Sequence, residues 1–136
     1  MGIIQNTGLQ SLVNYVIPYL NGLTCHLYGS AWEPGIDDIL TDYTTIECTF
    51  PGYSPQPLNA WSSPATSAVD GIWGSANPPV YFALISSTGP YSVYGCFITD
   101  STGKLWGAQA NLSYPYILMF AGDTYKVQPQ FLEQNF

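Results

Sequence analysis

The chain has 136 residues, 46% of them hydrophobic, 15% aromatic and only 8% charged, and its formal net charge is −7. That length fits one domain with a real core, and the apolar content excludes wholesale disorder. Two lysines and no arginine exclude a nucleic-acid backbone or an anionic membrane surface as partner, because both need clustered cations.

One helix is expected at the start. Thr7-Gly8-Leu9-Gln10 reads as a capping box, and Leu9, Leu12, Val13, Val16, Ile17 and Leu20 follow at spacings of three and four. Asn21-Gly22 supplies the stop, so the helix is placed at about residues 7–21. Pro18 lacks an N–H and predicts a kink or an early end near Ile17. The opening residues carry no basic segment and no secretion signal is expected; Ile3 and Ile4 form a short apolar arm ahead of the helix.

After Gly22 the apolar period changes to two, the mark of strands. Leu23, Cys25 and Leu27 alternate with polar residues, and Ala31 to Asp38 reads as a loop around Pro34-Gly35. Thr45 to Phe50 reads as a second strand, and Leu58 to Trp61 as a short edge strand. Ser62 to Pro79 has little period and reads as a long loop, a contact segment. Val80 to Ile85, apolar throughout, predicts a strand covered on both faces. Tyr91 to Thr99 and Lys104 to Gln109 form a hairpin about Asp100-Ser101-Thr102-Gly103, in which Asp caps and Gly takes a positive φ. Gly122-Asp123 turns into a last strand, Thr124 to Leu132, where Pro129 marks a sheet edge. About seven strands with frequent turns predict a mainly β fold: an antiparallel sandwich or small barrel with one N-terminal helix, a single domain over 1–136 with short terminal arms.

No catalytic constellation is legible. His26 is the only histidine, and it falls on the face opposite Leu23 and Leu27, which reads as a solvent or interface position. Glu33 and Glu47 are possible paired carboxylates that nothing in the sequence brings together. Asp37, Asp38 and Asp42 lack the EF-hand spacing and read as turn caps. Cys25, Cys48 and Cys96 have no zinc-ligand spacing and read as buried thiols, with one bridge as the alternative. Gly71-Ile72-Trp73-Gly74 lacks the lysine of a phosphate loop. Trp32, Trp61, Trp73 and Trp106 can stack on sugars, Trp73 best placed among them; burial in a core or interface is the plainer use of a tryptophan. No enzyme, cofactor or metal is expected.

The order of elements resembles a family. A leader helix and a strand ending in Leu27-Tyr28 are followed by Thr44 to Phe50 running into Pro51-Gly52-Tyr53. Then come Val93-Tyr94-Gly95-Cys96-Phe97-Ile98-Thr99-Asp100, Gly103 to Trp106, and Gly122-Asp123-Thr124-Tyr125 with Val127 and Pro129. From about Gly8 to Phe131 this resembles small structural proteins of tailed bacteriophages, with Cys96 where a tyrosine is expected and no counterpart for Ser62 to Pro79. The resemblance implies a virion protein assembled in the host cytoplasm. The favoured form is a capsid cement or decoration protein, trimeric, bound between major capsid subunits. The alternative is a tail or baseplate component with a receptor- or glycan-binding role. The interface residues expected on this reading are Ile3, Ile4, Trp73, Leu132 and Phe136.

Overall fold

In the computed structural model, which describes residues 5–66, 72–111 and 115–134, the opening helix α1 spans Asn6–Leu20. Gln5 is its N-cap and gives no side-chain cap, so the capping box expected at Thr7 does not form. Thr7 already lies in the first turn, where its carbonyl accepts the Ser11 hydroxyl at 2.9 Å. Pro18 does not end the helix either. The Asn21 N–H reaches the Ile17 carbonyl at 3.0 Å, so the last turn closes past the ring. Pro18 itself cannot donate to the carbonyl of Asn14, a residue exposed to water. No helix among the described residues is long and apolar enough to cross a membrane.

Eleven short strands follow among the described residues, more than the seven expected: β1 (Leu23–Tyr28), β2 (Gln56–Leu58), β3 (Ala65–Thr66), β4 (Ile72–Ala76), β5 (Val80–Ala83), β6 (Tyr91–Val93), β7 (Gly95–Thr99), β8 (Leu105–Ala110), β9 (Tyr116–Leu118), β10 (Thr124–Val127) and β11 (Gln130–Gln134). A one-turn helix, α2 (Leu40–Thr44), sits between β1 and β2. The fold is mainly β with an N-terminal helix, and the strands form separate antiparallel sheets. The chain divides into two compact units: Met1–Gly22, Leu58–Pro79 and Gln128–Phe136 make the first, Leu23–Pro57 and Val80–Val127 the second.

In the first unit the strand order is β11-β4-β3, and α1 packs against β4 and β11. Leu9, Val13 and Leu20 bury one stripe of the helix, with Leu58 and Trp61 buried in the same unit. The indole N–H of Trp61 donates to the Leu58 carbonyl at 3.2 Å. Asn77 is buried and fully used: its N–H donates to the Pro129 carbonyl, its Oδ1 accepts from Ala60 and its Nδ2 donates to Pro78. Ser62 to Pro79 is therefore not one long loop; it carries β3 and β4, while 67–71 lie outside the described residues. Gly74 hides this strand from a pattern reading. It has no side chain to alternate, yet a Cβ there would stand 2.4 Å from the Phe131 carbonyl oxygen, so only glycine lets β11 approach.

In the second unit the main sheet has the order β2-β1-β7-β8, with pairs β10–β5 and β6–β9 beside it. Tyr28, Tyr43 and Phe97 form a buried aromatic cluster, ring centroids 5.5 Å and 5.3 Å from Tyr43. The hairpin expected at Asp100 is present: its Oδ1 accepts the Thr102 and Lys104 N–H groups and Gly103 has φ of 82°. Three readings change. Thr45 to Phe50 is not a strand; it makes a single bridge, Glu47 to Tyr28, because α2 feeds it in beside the end of β1. The Val80 to Ile85 run is not covered on both faces, since Tyr81 and Ile85 are exposed. The final strand is two, because Pro129, buried and without an N–H, falls at the break between β10 in one unit and β11 in the other.

Candidate functional site

Antiparallel β1 and β7 pair His26 with Phe97, and the imidazole stacks on the Phe97 ring at 4.6 Å. His26 is thus not a surface histidine; its side chain is 16% exposed. Nδ1 lies 2.8 Å from Glu47 Oε1, and Nε2 lies 2.9 Å from Thr99 Oγ1. The Tyr53 hydroxyl donates to the same Glu47 oxygen at 2.6 Å and accepts the Leu27 N–H at 3.1 Å. With Nδ1–H donating to the carboxylate, the neutral ring accepts the Thr99 hydroxyl at Nε2. Carboxylate, imidazole and hydroxyl stand in the order of an acyl-transfer triad. Thr99 is 6% exposed, and none of these residues lines the three clefts described below. What it does here is tie β1, β7 and the 45–50 segment together. Glu33 does not join Glu47; it lines a separate cleft.

The two exposed tryptophans of the second unit are each fixed by an aspartate. Trp32 Nε1 donates to Asp38 Oδ2 at 3.0 Å, and Trp106 Nε1 donates to Asp100 Oδ2 at 2.9 Å. Asp38 also accepts the Gly35 N–H and the Tyr43 hydroxyl on Oδ2. These donors hold the Asp38 carboxyl below its usual range, the Tyr43 hydroxyl contributing most. The Thr102 hydroxyl does the same for Asp100, ahead of the Trp106 indole, and the N–H groups of Phe120 and Met119 do it for Asp123. Asp42 accepts the Ile39 N–H at 2.8 Å, so the acidic cluster serves as the turn chemistry expected of it.

Burial pushes the phenols of Tyr28 and Tyr125 up to about 12, and raises those of Tyr43 and Tyr53 with help from Asp38 and Glu47. Stability is expected to fall at both ends of the pH scale. The depressed aspartates contribute above the unfolded value of about 4 and lose that contribution below it. The raised tyrosines hold their protons in the folded chain, so their contribution is complete below about pH 10 and is lost above it. Urea midpoints across pH 2–12 check this; a flat alkaline limb contradicts the burial of these phenols.

Two clefts flank the 31–38 loop. Among the described residues one, of about 410 Å³, is lined by Trp32, Glu33, Tyr94 and Asn111 with Ala31, Ala110 and Pro115. The other, of about 350 Å³, has β8 residues Leu105 to Ala108 on one side and Pro34, Gly35, Ile36, Asp38 and Tyr43 on the other. A smaller hollow of about 190 Å³ in the first unit is lined by Leu132 with Ser62, Gly74 and Gln130 among others.

Of the interface residues expected from sequence, Leu132 is placed on paired β11, opposite Gly74, with its side chain exposed. It is carried by a sheet strand and not by a free arm. Trp73 lies in β4, with its side chain outside the described residues, as are Ile3, Ile4 and Phe136. Trp61 is buried and cannot stack on a ligand. The thiols are free; Cys25 and Cys48 are buried and Cys96 half-buried, with burial pushing Cys48 up to about 12. Comparison with protein-family models, with curated proteins and with solved structures finds no match to this chain.

Proposed function

We propose that the chain is a non-catalytic structural protein of a tailed-phage virion, a decoration protein that binds between major capsid subunits as a homotrimer. The resemblance in strand and turn order supplies the virion context. The observation that carries the reading is the number of large apolar side chains left in water on both units of a charge-poor chain. On α1 these are Leu12, Tyr15 and Tyr19; at the β5 end and the β9–β10 turn they are Ile85, Met119 and Phe120. The latter turn is rigid, because Asp123 Oδ2 accepts both the Met119 and Phe120 N–H groups at 2.8 Å. Fixed, desolvatable apolar side chains with few charges around them suit a permanent protein interface.

Cryo-microscopy of intact particles that carry the chain tests the assignment. Density over the shell, at three-fold contacts between capsid subunits, supports it. Density on the tail supports the tail or baseplate alternative, and absence from particles overturns both. The double variant Ile85→Ser with Phe120→Ser is expected to keep its unfolding free energy, read from urea denaturation, within about 0.5 kcal/mol, since both side chains are exposed. It is expected to lose at least about tenfold in self-association or particle binding by sedimentation. Unchanged association moves the contact surface elsewhere.

A further inference from the structure

We infer that the cleft between β8 and the 34–38 segment is a binding site for a neutral saccharide, with the Trp106 ring as stacking platform and Asp38 Oδ1 as hydroxyl acceptor. The inference does not draw on the assembly reading and holds for a shell or a tail location. Its volume, about 350 Å³, is at the small end of the range of roughly 300–1,000 Å³ for small-molecule sites.

The Trp106 side chain is 46% exposed, and its edge is held by Asp100. The ring is therefore oriented before a ligand arrives, which lowers the ordering cost of binding. Beside it Gly107 leaves the strand floor bare: a Cβ built there meets nothing within 4 Å. Across the cleft, all three hydrogen bonds to Asp38 converge on Oδ2, and Oδ1 accepts none among the described residues. Asp38 lines the cleft, and a carboxylate acceptor there without a protein donor is a recognition element for O–H or N–H groups.

The pairing of an aromatic face with a lone acceptor selects the ligand class. A sugar ring offers a C–H face to the indole and hydroxyl donors to the carboxylate. A purely apolar ligand would strip water from Asp38 and give nothing back. A proline-rich peptide needs an aromatic N–H to donate to its carbonyls, and both Trp32 and Trp106 have already spent theirs on aspartates. Charge excludes acidic sugars. Asp37, Asp38 and Asp100 stand on the flanking turns against a single cation, Lys104, in a chain of net charge −7.

The test is tryptophan fluorescence and calorimetric titration of the full chain at millimolar ligand. The probes are maltotriose, cellotriose and tri-N-acetylchitotriose, with 3′-sialyllactose and hexaproline as controls. Saturable binding of at least one neutral trisaccharide is expected. Trp106→Ala and Gly107→Val should each weaken it at least about tenfold. Gly107→Val fills the floor of the cleft while putting a strand-favouring residue into β8, so its urea midpoint is expected to match or exceed that of the parent and to separate lost binding from lost folding. No saturable response to any of the three, tighter binding of sialyllactose or hexaproline, or unchanged affinity in either variant overturns the assignment.

Discussion

Gly95→Ala is expected to unfold the second unit, at a cost of at least about 3 kcal/mol. A Cβ at this position would lie 2.2 Å from the Gln109 carbonyl oxygen and 2.5 Å from the Tyr28 hydroxyl. The first atom is backbone of β8, and it cannot retreat without opening the β7–β8 pairing. The second belongs to a fully buried ring packed on Tyr43. Neither can yield cheaply, because the interior is close-packed. Gly107→Ala, on the adjoining strand, is expected to have the opposite sign, since the new methyl meets only open space and the strand loses a flexible glycine. A gain of roughly 0.5–1 kcal/mol is expected there. Urea midpoints of the two variants, measured side by side, check the register of the β7–β8 pair. Equal midpoints contradict it.

Glu47→Ala is expected to cost roughly 2–4 kcal/mol. One carboxylate oxygen serves both His26 Nδ1 and the Tyr53 hydroxyl, and its removal leaves two half-buried groups without their partner. Glu47→Gln keeps an amide oxygen in place and is expected to lose less. Because Glu47 and Tyr53 share one hydrogen bond, Tyr53→Phe and Glu47→Ala should be non-additive, the double variant being more stable than the sum of the singles predicts. Strict additivity in a double-mutant cycle would remove Glu47 from the centre of this network.

The features legible in the sequence were those in which neighbours in the chain are neighbours in space. The Asp100–Gly103 turn is local and legible, and so is the α1 stripe at Leu9, Val13 and Leu20, although Leu12, expected on the same face, is exposed. The ends of α1, Asn6 and Leu20, lie within one residue of those expected, and Asn21 caps it; what differs is the N-cap, which is Gln5 and not Thr7, and Pro18, which does not end the helix. The alternation of Ile46, Cys48 and Phe50 marked a half-buried extended segment but not its pairing, which stops after one bridge. The His26 network joins residues 21 and 73 positions apart, a separation that no periodicity reports. Likewise Gly74 and Ser75 of β4 are small residues whose burial comes from partners elsewhere in the chain. Of the four tryptophans singled out as stacking candidates, composition could not separate buried Trp61 from Trp106, whose indole is fixed at the rim of a cleft.

The first unit is assembled from segments far apart in sequence, and this matters during translation. The α1 residues leave the ribosome before β4 and β11, the strands that pack on it and cover Leu9, Val13 and Leu20. At about 5–20 residues per second, β11 follows the end of α1 by roughly 5–20 s. Within that interval β7 and β8 of the second unit emerge in close succession, while the helix has no completed surface to lie on. The nascent chain thus carries an incompletely covered apolar stripe on α1 until β11 emerges, and over that interval the stripe is open to chaperones and to neighbouring chains on the same message.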